Sequence, residues 1–116
     1  MNKSVIVIFD DSTYSKYKNL QNYVDHKPTF KQLLNSIDNK ILKLKNNYKF
    51  GNLVPKKYLT KDVVKKYRTN KIFRINLIGY WRLLYTLKSN EDKIIVFILD
   101  IIDHNEYNKI FRYRKK

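Results

Sequence analysis

The sequence contains no cysteine and only two glycines, two prolines and two histidines in 116 residues. Without cysteine the chain can form no disulfide, no thiolate zinc site, no iron–sulfur cluster and no cysteine nucleophile. His26 and His104 are too few for a histidine metal site, so we expect neither a metal nor a small-molecule cofactor. The scarcity of glycine and proline also excludes collagen-like and linker-like low complexity.

Long apolar runs are missing as well. Residues 5–9 are apolar but are followed by Asp10 and Asp11, and this run is too short for the core of a signal peptide. Residues 94–102 form the longest apolar stretch, which Asp100 interrupts and which falls far short of the ~20 residues of a membrane span. We therefore expect a protein of the reducing cytoplasm that makes no contact with a membrane.

Positive charge is the feature that the sequence has in excess. The chain has 25 Lys and Arg residues against 10 Asp and Glu residues, which gives a net charge of +15. Hydrophobic residues make up 43% of the sequence, enough for the core of one domain over residues 1–116. The charge favours a polyanionic partner. An alternative is codon bias, because abundant Lys, Asn and Ile are typical of AT-rich coding sequence. That bias would not place all five arginines in the last 49 residues: Arg68, Arg74, Arg82, Arg112 and Arg114.

The N-terminal half has the pattern of one strand and two helices. Residues 5–9 are β-branched and predict a strand, after which Asp11 or Ser12 is expected to cap a helix that ends near Pro28. Seven apolar side chains then share one helical stripe: Phe30, Leu33, Leu34, Ile37, Ile41, Leu44 and Tyr48. We interpret this stripe as core, with Gly51 as the stop of the second helix.

The C-terminal half has the pattern of a β-meander. Thr60 can cap a short helix, residues 72–77 and 81–87 alternate in polarity, and residues 93–102 are almost continuously apolar, as in a central strand buried on both faces. Asp103 can cap a helical turn in the tail. The order β-α-α-β-β-β, with the short helix in the connector, predicts an α+β fold in which an N-terminal helical hairpin packs on a small, mostly antiparallel sheet in two layers.

Three segments of the C-terminal half resemble the RelE/ParE superfamily of toxin–antitoxin toxins, and within that superfamily they look closest to RelE-like members of the archaeal type. The three segments are the strand–turn–strand core Phe73-Arg-Ile-Asn-Leu-Ile-Gly-Tyr-Trp-Arg-Leu-Leu-Tyr85, the hydrophobic strand Lys93-Ile-Ile-Val-Phe-Ile-Leu-Asp-Ile, and Asp103-His-Asn-Glu-Tyr107. The match covers residues 70–107, and the helices before it match only in order and length.

The resemblance implies an endoribonuclease that enters the ribosomal A site and cuts mRNA, silenced by an acidic antitoxin. In that family the 2′-OH of the substrate attacks the adjacent phosphate and leaves a cyclic phosphate. Such chemistry needs a base, cations for the extra charge on phosphorus, and an acid for the leaving oxygen. Two alternatives stay open: a ParE-like gyrase inhibitor without enzymatic activity, and an inactive RelE-fold protein that binds nucleic acid.

The same resemblance assigns roles to individual residues. Arg82 matches the arginine that binds the scissile phosphate, Arg74 matches a basic position on the preceding strand, and Asn76 stands where the family can have a second lysine. His104 lies where relatives place a catalytic side chain, and its ordinary pKa near 6.5 suits an acid or a base.

Two tyrosines, Tyr107 and Tyr113, compete for the role of the family's C-terminal catalytic tyrosine. We further assign RNA-phosphate contacts to the basic residues that flank this core: Lys65, Lys66, Lys71, Arg112 and Arg114.

Overall fold

A computed structural model describes residues 3–23 and 27–112 of the chain. Its five strands are β1 (Ser4–Phe9), β2 (Asn52–Leu53), β3 (Phe73–Asn76), β4 (Trp81–Ser89) and β5 (Lys93–Asp103). They form one sheet in the order β1-β5-β4-β3-β2, in which β1 runs parallel to β5 and every other pair is antiparallel. The predicted α+β fold with a mostly antiparallel sheet is confirmed.

One face of the sheet is covered by the helical hairpin of α1 (Asp11–Tyr23) and α2 (Pro28–Asn46). The predicted stripe of α2 supplies its buried side chains Leu33, Ile37 and Leu44, which pack with buried side chains from β3, β4 and β5. Because neighbouring side chains of a strand point to opposite faces, this packing leaves the alternate residues of those strands on the other face.

The ends of the two helices differ from the sequence prediction. Asp10 caps α1 rather than Asp11 or Ser12: its carboxylate accepts a hydrogen bond from the Ser12 backbone N–H at 3.1 Å. Helix α2 ends at Asn46, before Tyr48, so Gly51 lies beyond the helix instead of stopping it. The side chain of Tyr85 fills the space at Gly51 and donates a hydrogen bond to the Tyr48 carbonyl at 2.9 Å.

A second, smaller layer covers part of the opposite face, which the two-layer prediction missed. It consists of α3 (Lys61–Tyr67), capped by Thr60 as predicted, and α4 (His104–Phe111), capped by Asp103. The buried side chains of this layer and of the strands beneath it are Val54, Val63, Tyr67, Ile72, Leu84, Leu99, Ile102, Tyr107 and Phe111. Since the strands carry apolar side chains on both faces here, both faces need a cover.

Asp100 lies at a β-bulge in β5, and its carboxylate contacts both helical layers. Leu84 lies opposite Asp100 and Tyr85 opposite Ile98, so β5 has one extra residue between these two pairs. The Asp100 carboxylate accepts hydrogen bonds from Lys16 Nζ of α1 at 2.6 Å and from the hydroxyl of Tyr67 of α3 at 2.7 Å. A buried charge is tolerated when it is paired in this way, and the pairing fixes α1 and α3 to β5.

No helix within residues 3–23 and 27–112 combines the length and the apolar character needed to cross a bilayer.

Candidate active site

Two arginines from neighbouring strands meet over one tyrosine ring. Arg74 of β3 pairs with Leu84 and Arg82 of β4 pairs with Asn76, which makes the two arginines diagonal neighbours on one face of the sheet. The ring of Tyr107 of α4 contacts both, with its centroid 5.5 Å from the Arg74 guanidinium carbon and 5.4 Å from that of Arg82. The face of the ring attracts both cations and so holds two like charges close together.

Tyr107 itself is almost fully buried, with 1% of its surface exposed. Its hydroxyl oxygen accepts a hydrogen bond from Arg74 Nη1 at 3.2 Å. Neither Arg74 nor Arg82 forms an ion pair with any residue that the structure describes. The cluster therefore presents two positive charges that no carboxylate within residues 3–23 and 27–112 neutralises, which suits the binding of an anion.

Arg82 also has an unused donor. Its Nε is buried and has no hydrogen-bond partner in the described part of the chain, while Nη1 makes a long bond of 3.4 Å to the Trp81 carbonyl. A buried polar group without a partner is rare and costs free energy. An oxygen of a bound phosphate would satisfy this donor.

His104 is the first residue of α4, and each of its two ring nitrogens lies close to another polar side chain. Nδ1 lies 3.4 Å from Arg82 Nη2, and Nε2 lies 3.2 Å from the side-chain amide of Asn108, one helical turn later. A guanidinium can only donate, so a hydrogen bond at this contact uses Nδ1 as the acceptor and belongs to the tautomer that carries its proton on Nε2. The structure places Asn108 Nδ2 at Nε2, so this tautomer also requires the amide to be flipped, and the two orientations of an amide have the same shape.

Tyr80 borders the same cluster from the turn between β3 and β4. It is 76% exposed, and its ring centroid lies 6.1 Å from that of His104. Gly79 and Tyr80 both have positive φ angles, 69° and 64°. Left-handed backbone is unusual for a bulky residue and is often found at functional sites. A cavity of about 300 Å³ lies beside Tyr80 and His104.

The sequence prediction assigned no role to Tyr80 or Asn108. Asn108 follows His104 by four residues, which places the two on one face of a helix, so this spacing was an available signal. Nothing in the sequence indicates that the turn residue Tyr80 lies near His104, because the approach depends on how α4 packs on the sheet.

The remaining predicted residues lie outside this cluster or outside the described residues. Arg74, Arg82, His104 and Tyr107 come together, and Asn76, beside Arg82, is exposed. Elsewhere, Lys65 and Lys66 lie exposed on α3, exposed Lys71 places its Nζ 5.8 Å from the Phe73 ring centroid, and Arg112 pairs with Asp62 at 3.1 Å. The predicted Tyr113 and Arg114 lie outside the described residues.

Within the described ranges no three histidine, aspartate or glutamate side chains come close enough to hold a metal ion. The groups that this site offers for chemistry are two guanidiniums, one imidazole and the surrounding hydroxyls and amides. They suit the binding of a phosphate and the transfer of a proton.

Solved structures show which known fold this architecture matches. A YoeB/ParE toxin from Agrobacterium tumefaciens superposes with a TM-score of 0.58 at 14% identity, over 85% of this chain and 98% of that chain. The E. coli toxin RelE, an arginine-to-alanine double mutant in the free state, superposes with a TM-score of 0.53 at 14% identity, over 92% of this chain and 90% of that chain. This chain has the RelE/ParE toxin fold.

The resemblance predicted from residues 70–107 is thus confirmed at the level of the fold. No protein-family model and no curated protein matches the sequence. At 14% identity the RelE/ParE-like fold alone carries over to this chain, so its activity has to be argued from its own residues.

Proposed function

We propose that the chain is the toxin of a toxin–antitoxin system and acts as an endoribonuclease that cuts mRNA on the ribosome. The observation that supports the proposal best is the cluster of Arg74, Arg82 and His104 around Tyr107. It combines two arginines that form no ion pair within the described residues with an imidazole, and these are the groups that cleavage by an adjacent 2′-OH requires.

The scissile phosphate binds between the two guanidiniums. Arg82 offers its unpartnered Nε together with an Nη donor, the forked arrangement that fits two phosphate oxygens. Arg74 adds the second positive charge from the neighbouring strand. Both charges stabilise the extra negative charge that develops on the phosphate in the transition state.

His104 is the base in this mechanism. In the free protein its Nδ1 accepts from Arg82, so this lone pair is occupied. When Arg82 turns to the phosphate, the lone pair of Nδ1 becomes available to the 2′-OH. The 2′-oxygen then forms its bond to phosphorus, its proton moves to Nδ1, and the bond from phosphorus to the 5′-oxygen breaks.

The leaving 5′-oxygen needs a proton from an acid. Of the two tyrosines considered from sequence, Tyr107 has a buried hydroxyl that accepts from Arg74, so we assign this role to Tyr113. Exposed Tyr80 provides a ring on which a neighbouring base of the RNA can stack. The products are a cyclic phosphate and a free 5′-OH.

An acidic antitoxin is the expected protein partner, because the chain has a net charge of +15. The affinity for such a partner should fall steeply as the salt concentration rises. An affinity that does not change with salt would indicate that the positive charge reflects composition alone.

Induced expression of variants at matched protein levels tests the proposed reaction. The wild type is compared with Arg82→Ala, His104→Ala and the control Lys18→Ala, which removes an exposed charge on α1. Primer extension on cellular mRNA then locates breaks. We expect growth arrest with mRNA breaks in the wild type and the control, and neither in the two site variants.

The same experiment distinguishes the proposed reaction from the leading alternative. Asn76, exposed next to Arg82 where relatives can have a second lysine, favours a gyrase inhibitor of the ParE type as the second candidate. Growth arrest without mRNA breaks would support that candidate. Equal growth of all four strains would mean that the fold is present without the toxic activity.

A further inference from the structure

A cleft of about 440 Å³ opens on the sheet face that carries α3 and α4. Its walls come from the start of α1, the end of α3, and Thr86 and Phe97 of the strands β4 and β5. Along β4, Lys88 at the cleft is six residues from Arg82, about 20 Å at the rise of a strand. The cleft is therefore separate from the candidate active site.

Three exposed cations line this cleft: Lys66, Arg68 and Lys88. None of them forms an ion pair with a residue that the structure describes. Arg68 follows the last residue of α3 with left-handed backbone, at φ 57°. The three charges come from two separate elements, so they meet here because of the fold and not because of a run of basic sequence.

The two acidic groups in the cleft differ in their partners. Asp100 accepts from Lys16 and Tyr67, which neutralises it. Asp10 accepts from the backbone N–H and the hydroxyl of Ser12, at 3.1 and 2.6 Å, on the α1 side. The cleft therefore holds three cations on the side of α3 and β4 against one carboxylate, Asp10, that no cation among the described residues neutralises, and this balance favours a phosphate.

An aromatic ring lies next to these cations. Phe97 is partly buried in the cleft wall, and Lys88 Nζ lies 4.8 Å from its ring centroid. If Lys88 moves to a phosphate, the ring face becomes accessible to a base. Cations that follow a backbone and an aromatic ring that stacks a base are the usual elements of single-strand binding.

We propose that this cleft binds one nucleotide of single-stranded RNA outside the site of cleavage. Its phosphate lies on Lys66, Arg68 and Lys88, and its base stacks on Phe97. The choice of RNA as ligand rests on the proposed function, and the site gives the substrate a second contact several nucleotides away from the cut.

Binding of an RNA that cannot be cut tests this site without relying on activity. A fluorescent 2′-O-methyl oligonucleotide lacks the attacking hydroxyl, and its anisotropy gives the Kd over a range of salt concentrations. The cleft variant replaces Lys66, Arg68 and Lys88 by alanine. The matched control replaces Lys18, Lys31 and Lys45, three exposed lysines of the helical hairpin.

The two parts of the site predict different changes. The cleft variant should bind about tenfold or more weakly, and the slope of log K against log salt should fall by about 0.7, the contribution of one single-strand phosphate contact. Phe97→Leu should bind about fivefold more weakly with an unchanged slope, because it removes stacking and no charge. The control should change the affinity less than threefold.

Equal losses in the cleft variant and the control would overturn the proposal, since binding would then follow net charge alone. Wild-type affinity in Phe97→Leu would overturn it as well, since no base would stack there. Thermal melting of each variant shows that it is folded. Arg82→Ala changes the proposed cleavage site and leaves the cleft intact, so the cleft should still contribute to the RNA affinity of this variant. A failure of the proposed cleavage mechanism is therefore distinguishable from a failure of the cleft site.

Discussion

Arg82 Nη2 lies 3.4 Å from His104 Nδ1, although the two residues are 22 positions apart in the sequence. This contact favours the tautomer of the imidazole that is protonated on Nε2, because an arginine can donate to Nδ1 but cannot accept from it. In the neutral ring of His104 this arrangement places the proton on Nε2, which faces Asn108. The base of the proposed reaction and its phosphate ligand are in contact before any substrate binds.

The first prediction concerns the proton of His104. Nitrogen-15 NMR of the wild type at neutral pH should show a protonated Nε2 and an unprotonated Nδ1. Asn108→Leu removes the amide that accepts from Nε2, so the ring should lose this single tautomer and cleavage should fall by about tenfold or more. Asn105→Leu is the matched control, because exposed Asn105 lies one position after His104 and makes no hydrogen bond to it. A tautomer that is unchanged in Asn108→Leu would contradict the assignment.

The second prediction separates two roles of Tyr107. If Tyr107 supports the arginines with its ring, accepts from Arg74 with its hydroxyl and is not the catalytic acid, Tyr107→Phe should keep the fold within about 1.5 kcal/mol and lower cleavage by at most about tenfold. A catalytic acid at this position would instead lose about 10² to 10⁴ in rate. Tyr107→Ala should destabilise the protein by about 3–5 kcal/mol, because it empties a fully buried site. Urea denaturation and a cleavage assay on the purified protein distinguish these outcomes.

The fold was largely predictable because its elements follow the periodicity of apolar residues. The stripe of α2 and the alternation in β3 and β4 place side chains on the faces that the structure shows, with Leu33 and Ile37 against Leu83 and Tyr85. The second layer was missed because α3 and α4 are short. A helix of seven or eight residues presents too few apolar positions to reveal the surface on which it packs.

The site was predictable only in part. Arg74 and Arg82 lie on the same face of two paired strands, and strand alternation indicates this directly. The contacts of His104 with Arg82 and with Tyr80 depend on the angle at which α4 leaves β5. Sequence patterns carry no information on that angle, so Tyr80 could not be assigned.

The third prediction concerns Tyr67 and alkaline pH. Burial and, secondarily, the Asp100 carboxylate raise the pKa of Tyr67 above its ordinary value of 10. The folded protein then keeps a proton that the unfolded chain loses above pH 10. The free energy of unfolding should consequently fall as the pH rises beyond 10, by up to about 1.4 kcal/mol per unit for this group.

Tyr67→Phe tests this relationship. It should cost about 1–3 kcal/mol at pH 7, because Asp100 loses one of its buried partners, and it should make the loss of stability above pH 10 shallower. Tyr17→Phe is the comparison: desolvation and Asp38 raise the pKa of Tyr17 to about 12, but this hydroxyl lies nearer to solvent. Urea denaturation at pH 7, 9, 10 and 11 measures both effects. Identical alkaline slopes in the wild type and in Tyr67→Phe would show that Tyr67 titrates normally.

The last prediction compares the two glycines. A Cβ at Gly51 would lie 2.8 Å from Tyr85 Cε1 and 2.9 Å from the Arg74 carbonyl oxygen, so either the buried ring or strand β3 has to move. Gly79 has a φ of 69°, but the nearest atom to its Cβ, Trp81 Cδ1, is 3.8 Å away. Gly79→Ala should therefore cost only the strain of left-handed backbone, about 1 kcal/mol. Gly51→Ala should cost about 2–3 kcal/mol, since overpacking displaces well-packed neighbours. A shift of β3 would also move Arg74, so Gly51→Ala should weaken RNA cleavage as well. A larger loss of stability in Gly79→Ala than in Gly51→Ala would mean that the contact between Gly51 and Tyr85 relaxes easily.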